Sequence, residues 1–531
     1  MFSANGCGST VPELCLGSHL GFRRLFQLAR LHARPDKAMM LRKTMKAALA
    51  ALLLAAAALA AAIAWPRAQA PLADSADDYA VTNVRVVDVE AGTAGPLTAV
   101  SIRDGIIAAI GPAEAGLPLV DGAGGYLVPG LWDMHMHSFQ LSPQMHLPLY
   151  LANGITAVRD MMDCPGDRDS LIACASDKRA WSVEAAQGRL AAPRFVSIAS
   201  YYLENPDLTP AEISGRAADA LARGIDELKV YNRLPRPAYL HAASQARRHG
   251  LRLVGHLPKA VALEEALASG QRSFEHAHLF SRHCYRRAGD WRSGALAGVD
   301  PTRLAEAMVA AHDPHSCAAA FEAMRRAGAW FVPTHVTREE DARAGDPTFV
   351  GDPRLGYLDP LSRWAYRDDL AGTRAAYPGL RGERALQAYF REGLRLTGAA
   401  YRAGVPVLVG TDTAIGGLRY HDEMAWLVRA GLTPAEVLRA ATLDAARYAG
   451  LERSSGSIAV GKRADLLILS ANPLEDIRAT RTIRSVFLAG RHYDRPRLDA
   501  LLRFVRSQSA RPDIWAKLLW GFARSSVTSD L

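Results

Sequence analysis

Cysteine is scarce, and no two cysteines stand in a CxxC spacing. That argues against a zinc site built from cysteine pairs. Net charge is scarce too, once the first 70 residues are set aside. Residues 1–70 hold nine Lys/Arg against two acids, so they carry +7 of the formal +9. The remainder of the chain is nearly neutral, which gives no support to nucleic-acid binding. Apolar content of 49% and charged content of 22% are ordinary for a folded globular protein. The length of 531 residues suits one large domain with a smaller one beside it.

The N-terminal charge has a specific setting. "LRKTMKAALAALLLAAAALAAAIAWPRAQAPLA" runs from a basic start through an Ala/Leu stretch to the small-residue ending Ala68-Gln69-Ala70. This is the layout of a secretory signal cleaved after Ala70, and it predicts export to the periplasm or outside the cell. The run Ala47–Trp65 is 19 residues, long enough to span a bilayer, so an uncleaved membrane anchor is the alternative. Met39, Met40 and Met45 each offer a start that gives a signal of ordinary form.

Export changes the reading of the four cysteines beyond Ala70. An even number in an exported chain suggests disulfides. A bridge between Cys164 and Cys174 would close the loop "CPGDRDSLIAC", leaving Cys284 and Cys317 as a second pair. The alternative is four buried thiols.

Residues 79–128 read as short alternating strands with Gly-rich turns, and a similar pattern returns in "GSIAVGKRADLLILS" and "IRSVFLAGRHY". The two flanks predict one small β-sandwich, from residues 71–130 and 456–495. Between them strands and helices alternate. Eight strands are expected, at 131–137, 155–161, 194–200, 226–231, 251–257, 272–278, 329–336 and 405–411. That is the pattern of an α/β fold, a (β/α)8 TIM barrel over residues 131–455. Segments 279–328 and 337–404 are too long for single crossovers and read as helical insertions, about 279–404, that shape the mouth. The tail 496–531 is amphipathic and basic. It could meet a membrane surface, but docking on the barrel or a neighbouring subunit fits it better.

Polar residues stand where the apolar runs stop. In "VPGLWDMHMHSFQ" His135 and His137 are two apart, so on a strand both imidazoles face one way. Alone such a pair is a weak metal signal. His256 in "LVGHLP" and His276 in "SFEHAH" strengthen it, although His278 shares a face with His276 and spacing does not separate the two. Lys229 in "DELKVY" is a lysine inside a strand, costly unless it reaches the mouth, pairs with Glu227 or Asp226, or is modified. Carbamylation by carbon dioxide would make it an anion able to bridge two metal ions. Asp412 in "VLVGTDTA" could bind metal and take a proton from water, or simply cap the following helix.

As an ordered set these residues resemble the amidohydrolase superfamily. "LVPGLWDMHMH", "LKVY", "VGHLP", "FEHAH" and "VGTDT" follow its order of His-x-His, lysine, histidine, histidine and aspartate. The C-terminal "ADLLILSANPLEDI" resembles its return to the smaller domain. The likeness covers about residues 79–495. "LKVY", with Tyr231 two residues after Lys229, is most similar to the imidazolonepropionase-like branch that contains Xaa-Pro dipeptidases, or prolidases, of barrel type. Trp132 stands where many relatives have an aliphatic residue. The resemblance implies two divalent metal ions, usually zinc, and a carbamylated Lys229. It implies that His135, His137 and Asp412 hold one metal, that His256 and His276 hold the other, and that Lys229 bridges them.

The expected activity is cleavage of an amide bond, in a dipeptide or N-acyl amino acid, by a hydroxide bridging the metals. Asp412 would move the proton and Tyr231 would polarise the carbonyl. Arg338, Lys259 and His335 are candidates to contact the small-molecule or dipeptide substrate. Other C–N, ester or phosphoester bonds (a cyclic amide, carbamate or lactone) form the alternative, and an inactive ligand-binding barrel a third reading. A homo-oligomer is compatible with the sequence, and the membrane would be met only through an uncleaved anchor.

Overall fold

The computed structural model describes residues 35–73 and 78–529, which divide into two units, one ending at Ala64 and one beginning at Trp65. Within the first unit a 30-residue helix spans Pro35–Ala64. Its segment Arg42–Ala64 is long and apolar enough to cross a membrane. Residues 1–34, which precede the expected signal, lie outside the described residues.

The second unit opens with β1 (Tyr79–Asp88), β2 (Thr93–Arg103), β3 (Ile106–Gly111) and β4 (Leu119–Pro129). After the central region the chain adds β12 (Leu466–Leu469), β13 (Ile483–Leu488) and β14 (Arg491–Asp494). The two flanks do combine, yet as a single seven-stranded sheet, in the order β14-β13-β12-β4-β1-β2-β3, and not as two described sheets of a sandwich. The join is antiparallel, Leu466 opposite Pro129 through Leu469 opposite Tyr126. The sheet curls strongly. β1 and β13 are three strand spacings apart, about 14 Å in a flat sheet, yet the rings of Tyr79 and Phe487 stack at 5.5 Å. The inside of the curl holds its own apolar cluster, including Val81, Val100, Ile107, Leu466 and Phe487.

The central region is α/β. The strands β5 (Leu131–Met136), β6 (Ile155–Asp160) and β7 (Arg194–Ile198) form one parallel sheet. β8 (Glu227–Val230), β9 (Arg252–Gly255), β10 (Gln271–Glu275) and β11 (Trp330–Val332) form another. Backbone bonds continue between them: Ser200 N–H donates to Glu227 O at 2.8 Å and Asp226 N–H to Ile198 O at 3.0 Å. The expected eighth strand, 405–411, is reduced to a single parallel bridge between Phe331 and Val407. Pro406 has no N–H to give a ladder. The segment still bonds on both sides. Phe331 N–H donates to Pro406 O at 2.9 Å, and Met134 N–H to Val409 O at 2.8 Å. This arrangement is consistent with a TIM barrel.

Gly410 lets this segment approach β5. A Cβ there would meet Val332 Cγ1 at 2.6 Å and His135 Cβ at 2.8 Å. The strands are largely buried on both faces, as packing between helices demands. All six residues of β5 and of β6 are buried.

Eight α-helices and a short 3-10 helix fill the stretch from His278 to Arg402 on either side of β11. The tail forms two helices, Arg495–Ser509 and Pro512–Arg524. Both dock on the body of this unit. Leu498 and Leu501 enter the main apolar cluster, and Ile514 packs with Leu141, Met145 and Leu518. Disulfides join Cys164 to Cys174 and Cys284 to Cys317, with Cα atoms 4.8 and 5.0 Å apart.

Candidate metal centre

The C-terminal ends of β5, β8, β9 and β10, together with the segment after Gly410, deliver side chains to one place. His135 is the penultimate residue of β5, and His137 follows its end. Lys229 lies in β8, while His256 and His276 come directly after β9 and β10. Asp412 joins them. Its Oδ1 lies 3.1 Å from His137 Nε2 and 3.5 Å from His135 Nε2, and its Oδ2 lies 3.7 Å from His276 Nδ1. Ligand atoms of His135, His137 and Asp412 all fall within 4.8 Å of one another. The ring of His256 is 4.5 Å from that of His276 and 3.9 Å from that of Tyr231. Lys229 Nζ is 5.8 Å from the Tyr231 ring centre.

The backbone is strained at this point. His276, Thr334 and Asp412 have φ of 74°, 46° and 46°, a left-handed region that costs a non-glycine residue on the order of 1 kcal/mol or more. Such strain persists only where neighbours hold it, and here they do. His276 Nδ1 is 2.8 Å from Thr334 Oγ1, and the Asp412 N–H donates to His135 O at 2.8 Å.

Burial sets the charge states. It pushes His276 down to about 3 and lowers His137 and His256, with the Lys229 charge adding to the effect on the latter two. Neutral imidazole is the form that ligates metal. Burial would raise the Asp412 carboxyl, but His135, His137 and His276 outweigh it and hold it well below the usual carboxylate range. Burial also brings Lys229 down to about 8, against the pull of Asp412 and Glu275. Lys229 forms no ion pair among the described residues.

The residues fit a metal. His135 Nε2, His137 Nδ1 and His256 Nδ1 are buried nitrogens without a hydrogen-bond partner. A buried orphan costs about 1–3 kcal/mol unless something satisfies it. For His135 the cause is legible: its other nitrogen, Nδ1, lies 2.9 Å from Glu275 Oε2, which leaves the Nε2 lone pair facing the cluster. Imidazole and carboxylate donors suit zinc and similar divalent ions.

Behind the cluster lies a charged layer that the sequence motifs did not point to. Arg159 is fully buried. Its Nε donates to Glu227 Oε2 at 2.8 Å and its Nη1 to Glu275 Oε1 at 3.1 Å. Burial opposes the ionised Glu275, but Arg159 and His135 bring its carboxyl down to about 2. Asp133 ties β5 to the segment 405–411, accepting from His135 N–H at 3.1 Å and from Thr411 Oγ1 at 2.6 Å. The available signals were the arginine inside "GITAVRDM" and the glutamate just before His276.

Of the remaining candidates, His278 begins the helix His278–His283, its ring 5.6 Å from that of His276. Arg338 pairs with Asp341 at 2.6 Å, and its charge is felt by His276 and Tyr231. Lys259 sits 5.5 Å from the Trp291 ring centre. His335 differs from expectation. The left-handed Thr334 ends β11 early, so His335 opens the helix His335–Ala342, fully buried, with its ring 6.2 Å from Phe390. Cys284 and Cys317 lie beside His312 in a group that could hold metal, but their sulfurs are joined to each other.

The fold and this cluster are those of a metal-dependent hydrolase. The chain belongs to the Amidohydrolase family, whose pattern matches residues 126–492. Among curated proteins it is similar to ochratoxinase of Aspergillus niger, 36% identical over 102 residues, 19% of this chain and 21% of the relative. The match thus spans about a fifth of that relative's length. Adenine deaminase 3 of Rhizobium meliloti (strain 1021) is 27% identical over 418 residues, 75% of this chain and 56% of the relative. Among solved structures, bottromycin amidohydrolase superposes with a TM-score of 0.62 at 24% identity, covering 86% of this chain and 95% of the other. A Xaa-Pro dipeptidase with methionine bound in its active site gives a TM-score of 0.55 at 18% identity, covering 79% and 100%.

Proposed function

We propose that this protein is an exported amidohydrolase that cleaves an amide bond at a two-metal centre held by His135, His137, Lys229, His256, His276 and Asp412. The observation that carries the reading is the convergence of buried imidazoles on one carboxylate, with His135 Nε2 and His256 Nδ1 left without a hydrogen-bond partner. In this reading His135, His137 and Asp412 hold one ion, and His256 and His276 the other. Lys229, carbamylated, would be a ligand to both, which would relieve a buried amine that has no ion pair among the described residues. Bound divalent metal supplies a water that ionises near neutral pH and a Lewis acid for the carbonyl.

The chain's own groups do the rest. Asp412 accepts the proton of the attacking water and delivers it to the departing amine nitrogen. Burial raises the Tyr231 hydroxyl above its ordinary value, so it stays protonated and donates to the carbonyl oxygen as charge develops there. Arg338 offers a cation for a substrate carboxylate. The parallel strands are read as one (β/α)8 barrel, with 71–130 and 456–495 as its smaller domain. The Pro35–Ala64 helix is read as part of an export signal, or failing cleavage, as an anchor.

The likeness to adenine deaminase 3 across three quarters of the chain favours one second reading, hydrolysis of a C–N bond in a cyclic amide or amidine. Dipeptides, N-acyl amino acids and cyclic amides assayed side by side separate the two. Asp412→Asn tests the mechanism: turnover is expected to fall by 10²-fold or more while the other five ligands still retain metal. Near-normal turnover would remove Asp412 from the proton path.

A further inference from the structure

A cavity of ≈570 Å³ leads away from the metal cluster. His137 and Asp412 form its inner end, Leu149 and Ile415 part of its floor, and Trp364 and Phe522 part of its mouth. Its volume is that of a site for a drug-sized ligand, far more than a dipeptide side chain requires. Its lining is predominantly apolar, and the few polar groups in it are neutral or already engaged. Burial brings His146 down to about 4, so the ring is uncharged at pH 7, and Ser142 Oγ lies 3.1 Å from its Nδ1. Asp359 accepts from the N–H groups of Leu361 and Ser362 at 2.9 and 3.0 Å, capping the helix that carries Trp364.

The mouth is unusual for an aqueous entrance. Trp364 and Phe522 are 62% and 45% exposed, and Leu519 beside them is 55% exposed. Isolated exposed apolar residues need no explanation, but a rim of them continuous with an apolar cavity does. One side of this rim is the tail helix Pro512–Arg524, held in place by Ile514 and by Ser170, whose Oγ donates to Gly521 O at 2.7 Å.

We propose that the scissile amide carries a long alkyl chain, and that this chain lies in the cavity against the tail helix. The proposal rests on the reading of the metal cluster as an amide-hydrolysing centre. It assigns the helix Pro512–Arg524 a role in substrate selection. Cleavage remains a plain hydrolysis: water adds to the carbonyl, the C–N bond breaks, and the proton goes to the amine.

The test uses the full chain loaded with zinc in bicarbonate and a panel of simple amides. N-acetyl- and N-decanoyl-alanine place the apolar group on the acyl side, and N-acetyl decylamine places it on the amine side. Each buried methylene is worth up to about fourfold in affinity, so kcat/KM for one decyl-bearing series is expected to exceed that for N-acetylalanine by at least a hundredfold. Ala365, exposed at the mouth one residue after Trp364, provides the variant. In Ala365→Trp the ratio of decyl to acetyl kcat/KM is expected to fall tenfold or more, a ratio that partial misfolding would leave unchanged. Calorimetry of metal-free protein with N-decanoyl-alanine reads binding apart from turnover. Binding of the decyl amide without hydrolysis by the loaded enzyme would keep the cavity assignment and reject the amide-hydrolysing reading. Hydrolysis of the acetyl compound with no preference for either decyl series would do the reverse.

Discussion

Glu275→Gln removes the charge that links the metal cluster to the buried arginine behind it. In the native protein one Glu275 oxygen faces His135 Nδ1 at 2.9 Å. The other accepts from Arg159 at 3.1 Å and from Ser273 Oγ at 2.6 Å. Glutamine has one acceptor for these three donors. If its oxygen turns to His135, its amide NH₂ meets Arg159 and Ser273, and a buried donor is left unsatisfied at a cost of about 1–3 kcal/mol. Breaking a buried ion pair costs about 3–5 kcal/mol when it strands a charge, but Arg159 keeps Glu227 at 2.8 Å, so only part of that applies. The expected loss is about 2–4 kcal/mol in the metal-free protein. If the oxygen turns to Arg159 instead, His135 loses the acceptor that fixes its tautomer. Zinc affinity should then fall about 10–100-fold. Chelator competition reads the affinity, and urea unfolding of the metal-free protein reads the stability. A variant with wild-type zinc affinity and an unchanged unfolding midpoint would refute the orienting role of this layer.

Two further predictions concern stability. The Cys284–Cys317 disulfide closes a loop with a sequence separation of 33, for which chain entropy predicts a contribution of about 4 kcal/mol. Replacing both cysteines by serine should lower the unfolding midpoint markedly when variant and wild type are both oxidised and not when both are reduced; equal midpoints for the oxidised pair would contradict this. Glu423 is fully buried, and burial pushes its carboxyl up to about 8 despite the Val336 N–H at 2.8 Å. Between its ordinary value and 8 the folded chain holds a proton that the unfolded chain releases. Stability is therefore lost as pH rises through that window, by up to about 1.4 kcal/mol per pH unit. Glu423→Gln should gain on wild type steadily from pH 5 to 8, as read by urea unfolding of the metal-free protein; a constant difference across that range would show that Glu423 does not titrate there.

The ligand cluster was legible because each proposed ligand ends an apolar run, and such ends are where α/β folds gather polar side chains. The pair of imidazoles in "DMHMH" and the lysine in "LKVY" could be read residue by residue. The layer beneath could not. Arg159 and Glu275 lie inside short strands where a charge reads as a solvent-facing position, and only their mutual distance shows otherwise. The eighth strand read as apolar and extended, yet Pro406 denies it a ladder. His335 moved into a helix because Thr334 adopts a left-handed turn that no local pattern announces. The flanking strands alternated correctly, but alternation fixes a face and not a partner, so one curled sheet and a two-sheet sandwich look alike in sequence. The tail was legible as amphipathic. That it walls a cavity reaching Asp412 depends on contacts with Leu141 and Met145, about 370 residues earlier in the chain.

The central claim is that six side chains hold two metal ions, with Lys229 as the bridge. Elemental analysis of the full chain after exposure to zinc and bicarbonate, beside the Lys229→Ala variant, tests it most directly. The account predicts about two metal ions per chain in the wild type, a clear loss in the variant, and amide hydrolysis that tracks the metal content. A wild-type protein that holds less than one ion per chain and hydrolyses no amide after this loading would contradict it.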